Sequence, residues 1–173
     1  FSSTKDFLNR KPSNTVSCLV LDVRLPGPSG LDFQAELAKA QIDIPIIFIT
    51  GHGDIPMSVR AMKAGAIEFL TKPLREQDLL DAIRIALERD RIRREKDERL
   101  RELKTRFDTL SERERTVLSL VTSGMLNKQM AGKMNLSEVT VKVHRHNLMR
   151  KLGAKSLPDL VKMAEALQIN KPE

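Results

Sequence analysis

Cys18-Leu19-Val20-Leu21-Asp22-Val23-Arg24-Leu25-Pro26-Gly27-Pro28-Ser29-Gly30 runs from an apolar segment, through a carboxylate, into a loop rich in Pro and Gly. Residues 18–21 read as a buried strand, and Asp22 then lies at its C-terminal end, where open α/β sheets place their chemistry. Two further strand-like runs carry polar residues at the same relative place. Ile46-Ile47-Phe48-Ile49 ends in Thr50, and Ile67-Glu68-Phe69-Leu70-Thr71 ends in Lys72-Pro73. Three successive strands would therefore deliver a carboxylate, a hydroxyl and an ammonium to one rim, a set suited to handling a phosphoryl group.

Helix signals alternate with these strands, so residues 1–83 read as α/β with parallel strands. Thr4 to Arg10 looks like the last turns of a helix. Ser29 caps a helix over about 30–40, with Asp32 in the box position and Leu31, Ala35, Leu37 and Ala38 facing inward. Pro56 suits the first turn of a helix that runs to Ala64 and stops at Gly65. From Gln77, Leu79, Leu80, Ile83, Ala86 and Leu87 form an amphipathic pattern that continues, without Gly or Pro, into the charged stretch Glu88 to Arg99. Apolar residues return at Leu100, Leu103, Phe107 and Leu110. Residues 84–109 thus read as a long charged helical linker, either with a short coiled-coil seam or as a solvated single helix.

Residues 110–173 read as an all-α module of four short helices. Ser111 and Glu114 form a capping box before the first, which Gly124 closes. Asn127 to Met134 is the second. Ser137 caps the third, Glu138 to Lys151, which Gly153 ends; Ser156, Pro158 and Asp159 open the fourth, Leu157 to Leu167. The second and third, joined by Asn135-Leu136-Ser137, have helix-turn-helix proportions.

The formal net charge of +7 is unevenly divided. Residues 1–83 hold nine basic against ten acidic side chains, residues 84–109 ten against seven, and residues 110–173 eleven against six. A polyanion partner is therefore expected for the C-terminal module. The one cysteine, Cys18, cannot form an internal disulfide and reads as core filling. No run reaches membrane-spanning length, and Lys5, Asp6, Arg10 and Lys11 interrupt a signal-peptide reading, so a cytoplasmic chain is expected.

The third helix of the module tells more. Its wheel gathers Val141, Leu148 and Leu152 on a core face, flanked by His144 and Arg145. The opposite face carries Val139, Lys142, Val143, His146 and Arg150. Cationic donors interleaved with small β-branched groups fit the major groove of DNA, where Lys can donate to guanine and Val can touch thymine methyls. Arg145 and Lys128 complete the candidate DNA-binding set. Zinc at His144 and His146 is disfavoured because residues two apart face nearly opposite directions. His52 reads as a loop histidine, and Met125, Met130, Met134, Met149 and Met163 read as core filler.

Leu21-Asp22 with Pro26 and Gly30, Phe48-Ile49-Thr50-Gly51-His52-Gly53-Asp54, Met62-Lys63-Ala64-Gly65-Ala66 and Phe69-Leu70-Thr71-Lys72-Pro73 resemble the receiver domain of two-component response regulators. Leu110-Ser111-Glu112-Arg113-Glu114, Asn127-Lys128, Thr140-Val141-Lys142-Val143-His144, Asn147 and Lys151-Leu152 resemble the LuxR-type helix-turn-helix. Together they resemble the NarL/FixJ class, closest to its FixJ-like members. The resemblance implies a flavodoxin-like receiver and a DNA-binding transcription regulator, not an enzyme. Asp22 would accept a phosphoryl group from a sensor histidine kinase, Lys72 and Thr50 would hold its oxygens, and Phe69 would be the switch aromatic. Mg²⁺ would be held by Asp22, the backbone carbonyl of Arg24 and an acidic pair on the family's first strand. That pair has no counterpart here, so the receiver is expected to be N-terminally truncated, with weakened Mg²⁺ binding and an open edge on the Asp22 strand. The resemblance also implies a homodimer on two DNA half-sites, with receivers pairing over about 56–70 and the last helix pairing the DNA-binding modules.

Two other readings compete. A haloacid-dehalogenase-like phosphatase would need a second Asp two residues after the nucleophile, and Arg24 stands there. A constitutive DNA-binding dimer, whose truncated receiver no longer accepts phosphate, would bind DNA without regard to phosphodonor.

Overall fold

Three parallel strands, β1 (Leu19–Asp22), β2 (Ile46–Thr50) and β3 (Glu68–Thr71), pair in the order β1-β2-β3. The structure is a computed structural model, and it describes residues 1, 3–10, 14–25, 27–51 and 55–169. Leu21, Phe48 and Phe69 are register partners, and so form one row across the sheet. The chain divides into two compact units, Phe1–Glu95 and Lys96–Glu173.

In the first unit, helices α1 (Thr4–Leu8), α2 (Gly30–Lys39) and α3 (Ile55–Lys63) accompany the sheet. Ser29 caps α2 as its sequence requires, accepting the Asp32 N–H at 3.2 Å. Phe7, Leu31, Phe33, Leu37 and Ala61 bury against the sheet face that carries Leu21 and Phe48. Ile47 points to the other face and packs with Ala82 and Ala86 from the start of α4 (Glu76–Asp108). Helices on both faces explain why β2 is nearly all apolar. β1 departs from the wholly buried strand expected over 18–21. It begins at Leu19, Cys18 precedes it half-buried, and Val20 is 39% exposed, because β1 is the edge strand of the described sheet.

α4 is one uninterrupted helix of 33 residues, roughly 50 Å at 1.5 Å per residue. Its first half is fastened by Asp90, which is fully buried and accepts hydrogen bonds from Arg93 and Arg94, both at 2.6 Å, and from the Ser17 N–H at 3.0 Å. Burial alone would raise the Asp90 pKa, but Arg94, Arg93 and the Ser17 amide outweigh it and leave it lowered.

In the second unit, α5 (Glu112–Thr122), α6 (Asn127–Met134), α7 (Glu138–Leu152) and α8 (Leu157–Ala166) enclose a core of Val117, Leu118, Met130, Val141, Leu148, Leu152 and Leu160. Leu103, Phe107 and Leu110 pack against or within that core, so the end of α4 has an intramolecular partner in place of either a coiled-coil seam or a solvated helix. All five methionines read as filler belong to or pack on it.

Candidate functional site

Asp22 closes β1, and its two oxygens are held separately. The Lys72 ammonium donates to Oδ2 at 2.8 Å, and the Arg24 N–H donates to Oδ1 at 2.9 Å. The pair is open to solvent, with 30% of the Asp22 side chain and 47% of the Lys72 side chain exposed. The Lys72 ammonium, followed by the Arg24 amide, holds the Asp22 carboxyl below the usual carboxylate range. Asp22 is therefore ionised at neutral pH, as a carboxylate nucleophile must be.

Thr50 ends β2 with no exposed surface, and its carbonyl accepts the Lys72 N–H at 2.7 Å. Asp22 pairs in register with Ile49, so Thr50 stands one residue further toward the rim. Phe69 lies half-buried on β3, its ring centroid 6.2 Å from that of Phe48. The three strand ends thus bring Asp22 and Lys72 into direct contact and fasten Thr50 to Lys72 through the backbone. Pro26 and His52, Gly53 and Asp54 lie outside the described residues. Among the described residues no cluster of three or more His, Cys, Asp or Glu is arranged to hold a metal. Both Asp22 carboxylate oxygens already accept hydrogen bonds, from Lys72 and from the Arg24 N–H.

α7 presents two distinct faces. Val141, Leu148 and Leu152 are fully buried, whereas Val139 is 71% and Val143 53% exposed, beside exposed Lys142, His146 and Arg150. Lys128 is exposed near the start of α6. Asn135 takes a left-handed φ of 53° that ends α6, Leu136 packs on the core, and Ser137 accepts the Thr140 N–H at 3.1 Å to start α7. Arg145 is placed differently from its companions. It is half-buried and donates to the Asn127 Oδ1 at 3.2 Å, bracing α7 against α6.

The supports of these sites were not visible in the sequence. Glu114, which is buried, accepts from the Lys151 ammonium at 2.7 Å, across 37 residues of chain, while also capping α5 through the Ser111 N–H at 2.8 Å. Asp90 sits in a run of charges that looks like any solvated helix face. The capping box marks Glu114 locally, but nothing local marks its pairing with Lys151 or the burial of Asp90.

Residues 1–84 match the family described as response regulator receiver domain, and residues 108–164 match bacterial regulatory proteins, luxR family. The chain belongs to the response regulators. This response regulator is 56% identical to nodulation protein W of Bradyrhizobium diazoefficiens, over 98% of its own length and 75% of the relative's. It is 52% identical to response regulator protein TodT of Pseudomonas putida, covering 97% of the chain and 74% of TodT. Transcriptional regulatory protein FixJ of Rhizobium meliloti is 44% identical, with 95% and 80% covered. Among solved structures, response regulator StyR superposes with a TM-score of 0.80 at 51% identity, covering 95% of this chain and 83% of StyR. The protein is a transcription regulator of the two-component class, with a receiver joined to a LuxR-type DNA-binding domain.

Proposed function

We propose that Asp22 is the phosphoacceptor of this regulator and takes its phosphoryl group from the phosphohistidine of a sensor kinase. The observation that carries the reading is the solvent-reachable Asp22 carboxylate, ionised and held at 2.8 Å by Lys72 on the rim of a parallel sheet. In transfer, an Asp22 oxygen attacks phosphorus, the bond to the kinase imidazole breaks, and an acyl phosphate results. Lys72, released from the carboxylate oxygen, then pairs with the phosphoryl oxygens, and the Thr50 hydroxyl bonds one of them. Phe69, half-buried beside Phe48, is the switch aromatic. A bound Mg²⁺ would offset the phosphoryl charge; Asp22 and the Arg24 carbonyl would hold it.

The output is binding of double-stranded DNA by the exposed face of α7, through Val139, Lys142, Val143, His146 and Arg150, with Lys128 on α6 and Arg145 steadying the pair. A homodimer would present two such faces to two half-sites. Ile55, Val59 and Met62 leave an apolar stripe exposed on α3, which supports receiver pairing there. Among the described residues no helix is long and apolar enough to cross a membrane, in keeping with a cytoplasmic regulator.

Intact-protein mass after incubation with acetyl phosphate and Mg²⁺ tests the reading. One phosphoryl group is expected on the parent and none on Asp22→Asn. Absence of the group from both would instead favour the constitutive DNA-binding dimer.

A further inference from the structure

We infer that Phe48 is a positioning residue that couples the Asp22 loop to Phe69. The inference rests on the reading of Asp22 as the phosphoacceptor and deepens it by naming what lies between that residue and the aromatic.

Phe48 occupies the middle of the row Leu21, Phe48, Phe69, one residue from each strand, and has no exposed surface. Asp22, Val23 and the start of α2 pack tightly beside it. Gly30, the first residue of α2, lies so close that a Cβ there would fall 2.5 Å from the Asp22 carbonyl oxygen, 3.1 Å from the Val23 Cα and 3.2 Å from the Phe48 ring. The Gly30 N–H also donates to the Val23 carbonyl at 2.9 Å, which ties the start of α2 to the residue after Asp22. The Phe48 ring also meets Phe69, its register partner on β3, tilted by 43° at 6.2 Å between centroids.

The packing decides where a displacement must go. Leu21, Leu31 and Phe33 around Phe48 are buried, and a close-packed interior gives way only where volume is free. Phe69 is the half-buried member of the row, the one not enclosed on every side. A shift of the Asp22 peptide or of α2 is thus delivered by Phe48 to Phe69.

The test uses the full chain labelled with 4-fluorophenylalanine, with the Phe69 fluorine resonance assigned from a Phe69→Leu variant. Parent, Phe48→Leu and Phe33→Leu are each treated with acetyl phosphate and Mg²⁺. Mass spectrometry reads uptake of the phosphoryl group, and fluorine NMR reads the displacement of the Phe69 resonance. Phe33→Leu removes an equally buried ring of the same core that is not in the row, and should keep the parental displacement. Phe48→Leu should take up the phosphoryl group as the parent does, yet show a displacement reduced by about five-fold or more. If Phe48→Leu fails to fold by thermal melting, Phe48→Met replaces it and carries the same expectation. A parental displacement in the folded Phe48 variant, or an equal loss in Phe33→Leu, would overturn the inference. No phosphoryl group on the parent would overturn the Asp22 reading first and this inference with it; the mass measurement separates that outcome from the others.

Discussion

Glu114 and Lys142 show how differently two charged residues act within the same unit. Glu114 is buried, and its burial alone would raise its pKa, but Lys151 and then the Ser111 backbone and hydroxyl leave it lowered. A lowered carboxylate pKa in the folded state contributes stability that is present at neutral pH and lost as pH falls through the folded value. Glu114→Gln is therefore expected to cost about 1–3 kcal/mol at pH 7, with the difference shrinking below about pH 4, the ordinary carboxylate range. Urea denaturation across pH checks this; a difference independent of pH would assign the loss to packing. Lys142 is exposed on α7, so its removal should leave folding alone. Lys142→Ala should weaken specific DNA binding by about 1–3 kcal/mol, and unchanged affinity for the cognate site would remove α7 from the groove.

Among the elements, α4 and α7 show where local reading succeeded and where it failed. The caps were legible because they are local: Ser111, Ser137 and Ser156 each accept an N–H three residues ahead. Gly153 ends α7 at a φ of 77°, and Arg106 from α4 donates to the Leu152 carbonyl beside it at 3.3 Å. Gly153→Ala should destabilise the C-terminal unit by about 1–2 kcal/mol through the left-handed backbone. Gly124, at a φ of 86° with open space around it, is the control for crowding. Urea unfolding followed by circular dichroism compares them, and a loss much larger at Gly153 would show that Arg106 resists displacement. The partner of Leu103, Phe107 and Leu110 is not legible in the sequence, because an apolar spacing of three and four fits any helical partner. Here the partner is the protein's own core.

For the whole molecule, the charge asymmetry sets the physics of DNA binding. The excess of eleven basic over six acidic side chains in residues 110–173 implies that counterion release dominates affinity. Affinity for duplex DNA is expected to fall by about ten-fold or more between roughly 50 and 200 mM salt, as filter binding or fluorescence anisotropy would report. A flat response would argue against a phosphate-contacting surface.

The sequence by itself determined the parallel α/β order, the helix caps, the two faces of α7 and the rim position of Asp22. Each of these follows from periodicity, from capping chemistry within a few residues or from motif resemblance. Tertiary structure alone decided that Lys72 takes one Asp22 oxygen while the Arg24 amide takes the other, that Asp90 is buried while Arg89 and Arg91 beside it are exposed, and that Gly30 and Phe69 both approach Phe48. These depend on which surfaces the folded chain brings together, and residues far apart in sequence carry no local sign of their partner.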